Sequence, residues 1–108
     1  MIVTIAERKD RKRERLRAAA REVCAELARY ATAHAGRYLL FGSFARGEER
    51  FDSDFDVLVD FPEPAARVAC EFVEERCRFH GLTPDIHMRS EASPELLSRI
   101  ARDGVPLT

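Results

Sequence analysis

No stretch of the sequence approaches the run of about eighteen apolar residues that a membrane-spanning helix requires, which excludes a helical membrane span. The N-terminus is basic and laced with acids and lacks the apolar centre of a signal peptide, so a cytoplasmic protein is expected. Cysteine is scarce. The three residues Cys24, Cys70 and Cys77 include no Cys-x-x-Cys pair and stand beside no histidine cluster, so zinc is not indicated. Each falls in a stretch that reads as helical, where a buried thiol is expected. Internal repeats and low-complexity linkers are also missing. The 108 residues leave no room for a second substantial domain, and a hydrophobic content of 45% suits one soluble core. One domain over 1–108 is expected, with a helix over 1–36 and a core over 37–108.

What is present is unevenly charged. Between Arg8 and Arg17 stand seven basic residues (Arg8, Lys9, Arg11, Lys12, Arg13, Arg15, Arg17) against Asp10 and Glu14. Between Glu48 and Glu63 stand seven acids (Glu48, Glu49, Asp52, Asp54, Asp56, Asp60, Glu63) against Arg50 alone. Two partners of opposite kind are implied. The basic run reads first as a solvated helix face. It could also dock an acidic surface or a nucleic acid, although the lack of interleaved aromatics argues against nucleic acid.

Leu16, Ala20, Val23, Leu27, Tyr30 and Ala31 recur at helical spacing, so residues 7–35 read as a long amphipathic helix closed by a left-handed cap at Gly36. Tyr38–Phe41 reads as a buried strand entering a turn at Gly42-Ser43, and Phe44–Glu49 has room for one helical turn. Ser53–Phe61 reads as a second strand, with Phe55, Val57, Val59 and Phe61 on one face and Asp54, Asp56, Leu58 and Asp60 on the other. After Pro62 and Pro64 a helix over Ala65–His80 is expected, with Val68, Phe72 and Val73 turned inward. Pro84–Met88 reads as a third strand. Ser93-Pro94-Glu95 starts a last helix that ends near Gly104. The order α-β-β-α-β-α predicts an α/β (α+β) domain with a small mixed sheet packed by helices.

Chemistry concentrates between Gly42 and Asp56. Gly42 lets backbone approach a ligand, and Ser43 opens a turn whose N–H groups and hydroxyl can hold phosphate oxygens. Asp is depleted in strands, so Asp54 and Asp56 amid Phe, Val and Leu need a reason. Set side by side they suit Mg²⁺, which takes one or two carboxylates and completes its shell with water and phosphate oxygens. Two such ions would activate an attacking oxygen and stabilise a leaving one. Asp85 on the third strand is the candidate third acid, as a metal ligand or as acceptor of a proton. Arg46 is placed to touch phosphate or to pair with a nearby acid. His87, two residues after Asp85, reads as a partly exposed strand residue, and His34 and His80 as favouring helix ends.

Gly42-Ser43, Ala45-Arg46-Gly47 and Ser53-Asp54-x-Asp56 before an apolar strand resemble the signature of the minimal nucleotidyltransferases of the DNA polymerase β-like superfamily. Gly, Ser, Arg, Gly, Asp and Asp at fixed offsets occur by chance on the order of 10⁻⁷ per starting position, at about 5–7% usage each. Ten residues separate Ser43 from Asp54, a spacing similar to that of the nucleotidyltransferase antitoxins paired with HEPN-domain toxins; Leu97, Ile100, Gly104 and Val105 also resemble that group. The resemblance runs from about Tyr38 onward. It implies a nucleotidyltransferase fold, and Mg-dependent transfer of AMP from ATP to a hydroxyl, a tyrosine, of a HEPN-type ribonuclease toxin, the two proteins forming a hetero-oligomer. By the same resemblance Asp54, Asp56 and Asp85 are catalytic and hold metal, while Gly42, Ser43 and Arg46 bind nucleotide phosphates. Two alternatives stay open: an antitoxin that works by capture with little catalysis, and a transferase for a small molecule or a tRNA end.

Overall fold

The alternation expected along the second strand is what builds the centre of the molecule. In the computed structural model, which describes residues 2–108, the elements run α1 (Ile5–Ala33), β1 (Arg37–Phe41), α2 (Gly42–Arg46), β2 (Phe55–Asp60) and α3 (Ala65–His80). There follow β3 (Pro84–Met88), one 3₁₀ turn at Arg89–Glu91, α4 (Pro94–Asp103) and β4 (Val105–Pro106). The four strands lie in the order β3-β2-β1-β4, with β2 antiparallel to β1 and parallel to β3. The class is the mixed α/β one expected, with α2 a full short helix and β4 an added edge strand.

The faces of the sheet have different tasks. Tyr38 and Leu40 pair with Val59 and Val57, which pair onward with Met88 and Ile86, so all six share one face. Against it pack Ala20, Val23, Leu27 and Ala31 of α1 and Ala66, Ala69, Val73 and Cys77 of α3. The inward side of α3 is thus made of small residues; Val68, expected inward, is 55% exposed. Close approach of helix to strand explains the preference, since a small side chain lets α3 settle on the sheet at native packing density. Phe72 does pack against the core. The expected buried thiol holds for Cys77, while Cys24 and Cys70 are half-buried; burial pushes Cys77 up to about 12 and Cys24 up to about 11, so both stay as inert thiols.

Polar groups caught between the helices are satisfied. The Tyr38 hydroxyl donates to the Ala69 carbonyl at 2.8 Å. Glu26 of α1 accepts from Arg76 Nε at 2.8 Å and lies 3.0 Å from His80 Nε2. The Arg76 hydrogen bond holds its carboxyl below the usual range. His80 therefore clamps α3 to α1 in addition to standing at a helix end. His34 places Nδ1 2.9 Å from the Tyr30 carbonyl and stacks on the Tyr30 ring.

The left-handed residue after α1 is Ala35, at φ 56, and Gly36 is needed for room. A Cβ at Gly36 would stand 2.2 Å from the Phe61 ring. Phe61 is buried and tilted against Tyr38 at 4.9 Å, so it has nowhere to retreat. Gly36→Ala is expected to cost about 1–3 kcal/mol through overpacking, read as a melting temperature lower by several degrees with the chemistry of the far sheet face unaltered. Among the described residues no helix is long and apolar enough to cross a membrane.

Candidate active site

The other sheet face is where acids collect. Phe41 pairs with Asp56, Asp56 pairs with Asp85 and Leu58 pairs with His87, so these five side chains share the face turned from α1 and α3. Above them lies α4, capped by the Ser93 hydroxyl accepting from the Leu96 N–H at 3.1 Å and anchored by buried Ile100. Between sheet and helix opens a cleft of about 640 Å³, lined by Phe41, Gly42, Ser43, Arg46, Asp56 and Asp85, then by His87 and the α4 segment from Ser93 to Asp103. That volume is of the size that takes a small-molecule ligand.

The chain enters the cleft at the end of β1 and turns at once. Gly42 sits at φ 74, and a Cβ there would lie 2.1 Å from Asp56 Oδ2. The missing side chain is what lets the Asp56 carboxylate rest against the turn. Here α2 begins, two residues before the expected start at Phe44, and it is capped by Gly47 at φ 69. Arg46, at the rim, lies 3.5 Å from Glu48.

Asp56 and Asp85 face each other across two parallel strands. Burial, then the hydrogen bond and charge of Asp85, then the charge of Asp54 push Asp56 up to about 6, with His87 opposing. Crowding of carboxylates in a partly buried place raises a pKa in this way, and a cation joining them would relieve it. The carboxylate oxygens are hard donors, and such a pair at the wall of an open cleft fits Mg²⁺. His87 Nε2 lies 3.3 Å from Asp85 Oδ2, and its ring leans on Phe41 at 5.5 Å.

Asp54 is placed differently. β2 starts at Phe55, so Asp54 is still in the loop, exposed and outside the cleft's lining, although its charge is felt at Asp56. Among the described residues no group of three or more His, Cys, Asp or Glu side chains stands close enough to grip a metal ion. Asp54 lies one residue before the first paired residue of β2, and repulsion among three acids favours keeping it apart. Arg99, Ser93 and Asp103 were not foreseen in the cleft. Their signal was the one-sided apolar pattern Leu96, Leu97, Ile100, which turns Arg99, beside Ile100, toward the same opening.

With this geometry in place the comparisons are informative. A family model described as a nucleotidyltransferase domain matches residues 7–107. A protein adenylyltransferase MntA of Thermococcus cleftensis is 37% identical over 67 residues, which are 61% of this chain and 68% of that protein. A solved structure assigned to the minimal nucleotidyltransferases superposes with a TM-score of 0.65 at 32% identity, covering 87% of this chain and 94% of that one. A toxin–antitoxin structure with AMP-PNP superposes with a TM-score of 0.54 at 25% identity, over 67% of this chain. This chain spans 59% of that one, less than two thirds of its length. The acids on one sheet face, the glycine–serine turn below them and the match over nearly the whole sequence lead to one conclusion: this chain belongs to the nucleotidyltransferase domain family.

Proposed function

We propose that this chain is a Mg-dependent adenylyltransferase that moves AMP from ATP onto a hydroxyl of a protein partner, a tyrosine of a HEPN-domain ribonuclease toxin, and so acts as its antitoxin. The observation that carries the reading is the Asp56–Asp85 pair, in register at the foot of the Gly42-Ser43 turn. Further support comes from relatives named as a protein adenylyltransferase and as part of a toxin–antitoxin complex with AMP-PNP.

In this reading Gly42, Ser43 and Arg46 hold the triphosphate. Asp56 and Asp85 hold Mg²⁺, with Asp54 swinging in from its loop to complete the set. The bound metal would supply charge for the phosphates and the leaving pyrophosphate. The acceptor oxygen forms its bond to the α-phosphorus as the bond to pyrophosphate breaks, and the hydroxyl proton passes to Asp85. α4 covers one side of the cleft and limits water there.

The test is direct. Purified protein, ATP labelled at the α-phosphate, Mg²⁺ and the toxin encoded beside it are mixed; the toxin is expected to gain label, and EDTA to abolish the gain. A toxin silenced at equal concentration without gaining label would leave capture as the mechanism. Label entering RNA ends or a small molecule instead would move the acceptor to another class.

A further inference from the structure

The N-terminal part of α1 does nothing for the core. The helix spans Ile5–Ala33, yet its first buried residue is Ala20. From Ile5 to Arg15 every residue is exposed, and Ile2 and Ile5 at the tip are 93% and 72% exposed. A helix polar on all sides and buried on none has little of its own to hold it in place. Its position is nonetheless specific. Lys9 and Lys12 set their ammonium groups 4.8 and 5.8 Å from the centre of the Phe51 ring, and Arg17 pairs with buried Glu49. Both partners belong to the loop that joins α2 to β2 and delivers Asp54. The arm therefore stands at the end of the sheet where the cleft opens.

Arg8, Arg11 and Arg15 follow at spacings of three and four, so they form one stripe on this arm. Among the described residues none of the three makes an ion pair, whereas Arg13 and Arg17 each have a carboxylate. We infer that this stripe is the docking surface for an acidic face of the protein that brings the acceptor hydroxyl to the cleft. The inference rests on the reading of the acceptor as a protein. Nucleic acid fits less well, because among the described residues no free aromatic ring stands beside the stripe to stack on bases. The one aromatic nearby, Phe51, is already covered by lysines. An acidic polypeptide can present its charge on one side only, and apolar groups beside it would cover Ile2 and Ile5.

The full chain is titrated into fluorescent poly(Glu,Tyr), without ATP, and anisotropy is followed at low and high salt. Binding that weakens with salt is expected, and R8E/R11E/R15E is expected to weaken it by about tenfold or more. The opposite set E7K/D10K/E14K is expected to tighten it, which guards against a loss caused by misfolding. Equal binding by all three proteins overturns the inference. So does polyuridylate RNA captured in preference to poly(Glu,Tyr), or sedimentation showing that the stripe holds a second copy of this chain. Label transfer from ATP to the polymer is scored separately: arm-dependent binding without transfer supports docking while counting against the adenylyltransferase reading.

Discussion

Asp56→Asn is expected to abolish transfer while making the free protein harder to melt. Asp56 is pushed up to about 6, first by burial and then by Asp85 and Asp54. The sign follows from comparing states. The folded pKa lies above the ordinary value of 3.8, so the fold favours the protonated acid. Stability falls as pH rises from the ordinary carboxylate range to about 6, and the loss persists above it. At about 1.4 kcal/mol per unit the full shift approaches 3 kcal/mol; solvent entering the open cleft reduces it to the order of 1 kcal/mol. Asparagine keeps the shape, can donate to Asp85 and removes the charge. A rise of several degrees in melting temperature at pH 8 is expected, shrinking toward pH 4, since each kcal/mol moves a domain of this size by roughly 4–8 °C. Transfer should drop by about 10³-fold or more. The wild type should regain stability when Mg²⁺ is added and the variant should not. Mg²⁺ binding by the wild type should also weaken as pH drops through about 6, as Asp56 of the free protein takes up its proton. A variant that transfers normally, or melts lower at pH 8, would remove Asp56 from the centre of the site.

Such a trade between stability and chemistry also shows which features are readable in a sequence. The two-residue period of Phe55, Val57 and Val59 against Asp56 and Asp60 announces β2 and its faces, because one face must be dry. Gly42 announces a turn. Register is another matter. Asp85 stands opposite Asp56 only because β3 returns parallel after α3, a fact fixed by how α3 packs. The inward face of α3 was legible in Val73 and Phe72 but not in Ala66, Ala69 and Cys77, which are chosen for size, where hydrophobicity points instead to exposed Val68. β4 has two residues, one a proline, too short to carry a period. Arg99 enters the cleft because α4 lies across the sheet; the apolar stripe of Leu96, Leu97 and Ile100 marks the inward side of α4, but not that a cleft lies beneath it. Asp54 shows the reverse case. Its identity as an acid of the motif is plain, but its loop position depends on where pairing of β2 begins.

Gly42→Ala is expected to damage fold and site together, more than any other glycine replacement in the motif. Two costs combine. At φ 74 an alanine pays the left-handed penalty, about 1–2 kcal/mol. Its Cβ would then meet Asp56 Oδ2 at 2.1 Å and Cγ at 2.9 Å. The carboxylate could turn away only by leaving its place in the cleft, and strand pairing to β1 and β3 still holds the Asp56 Cβ 3.2 Å from the added carbon. Overpacking of this kind adds about 1–3 kcal/mol, a large share of the roughly 5–15 kcal/mol that holds a domain together. Gly47→Ala supplies the control. Its φ of 69 carries the same backbone penalty, but nothing lies within 4 Å of the added carbon, so transfer should survive. Thermal melts should place Gly42→Ala well below Gly47→Ala. In the double variant with Asp56→Ala, most of the steric cost should disappear, giving strongly non-additive melting temperatures with transfer still absent. Equal melting of the two alanine variants, or simple additivity in the double, would mean that the turn and the acid are not in contact, and the cleft would lose its floor.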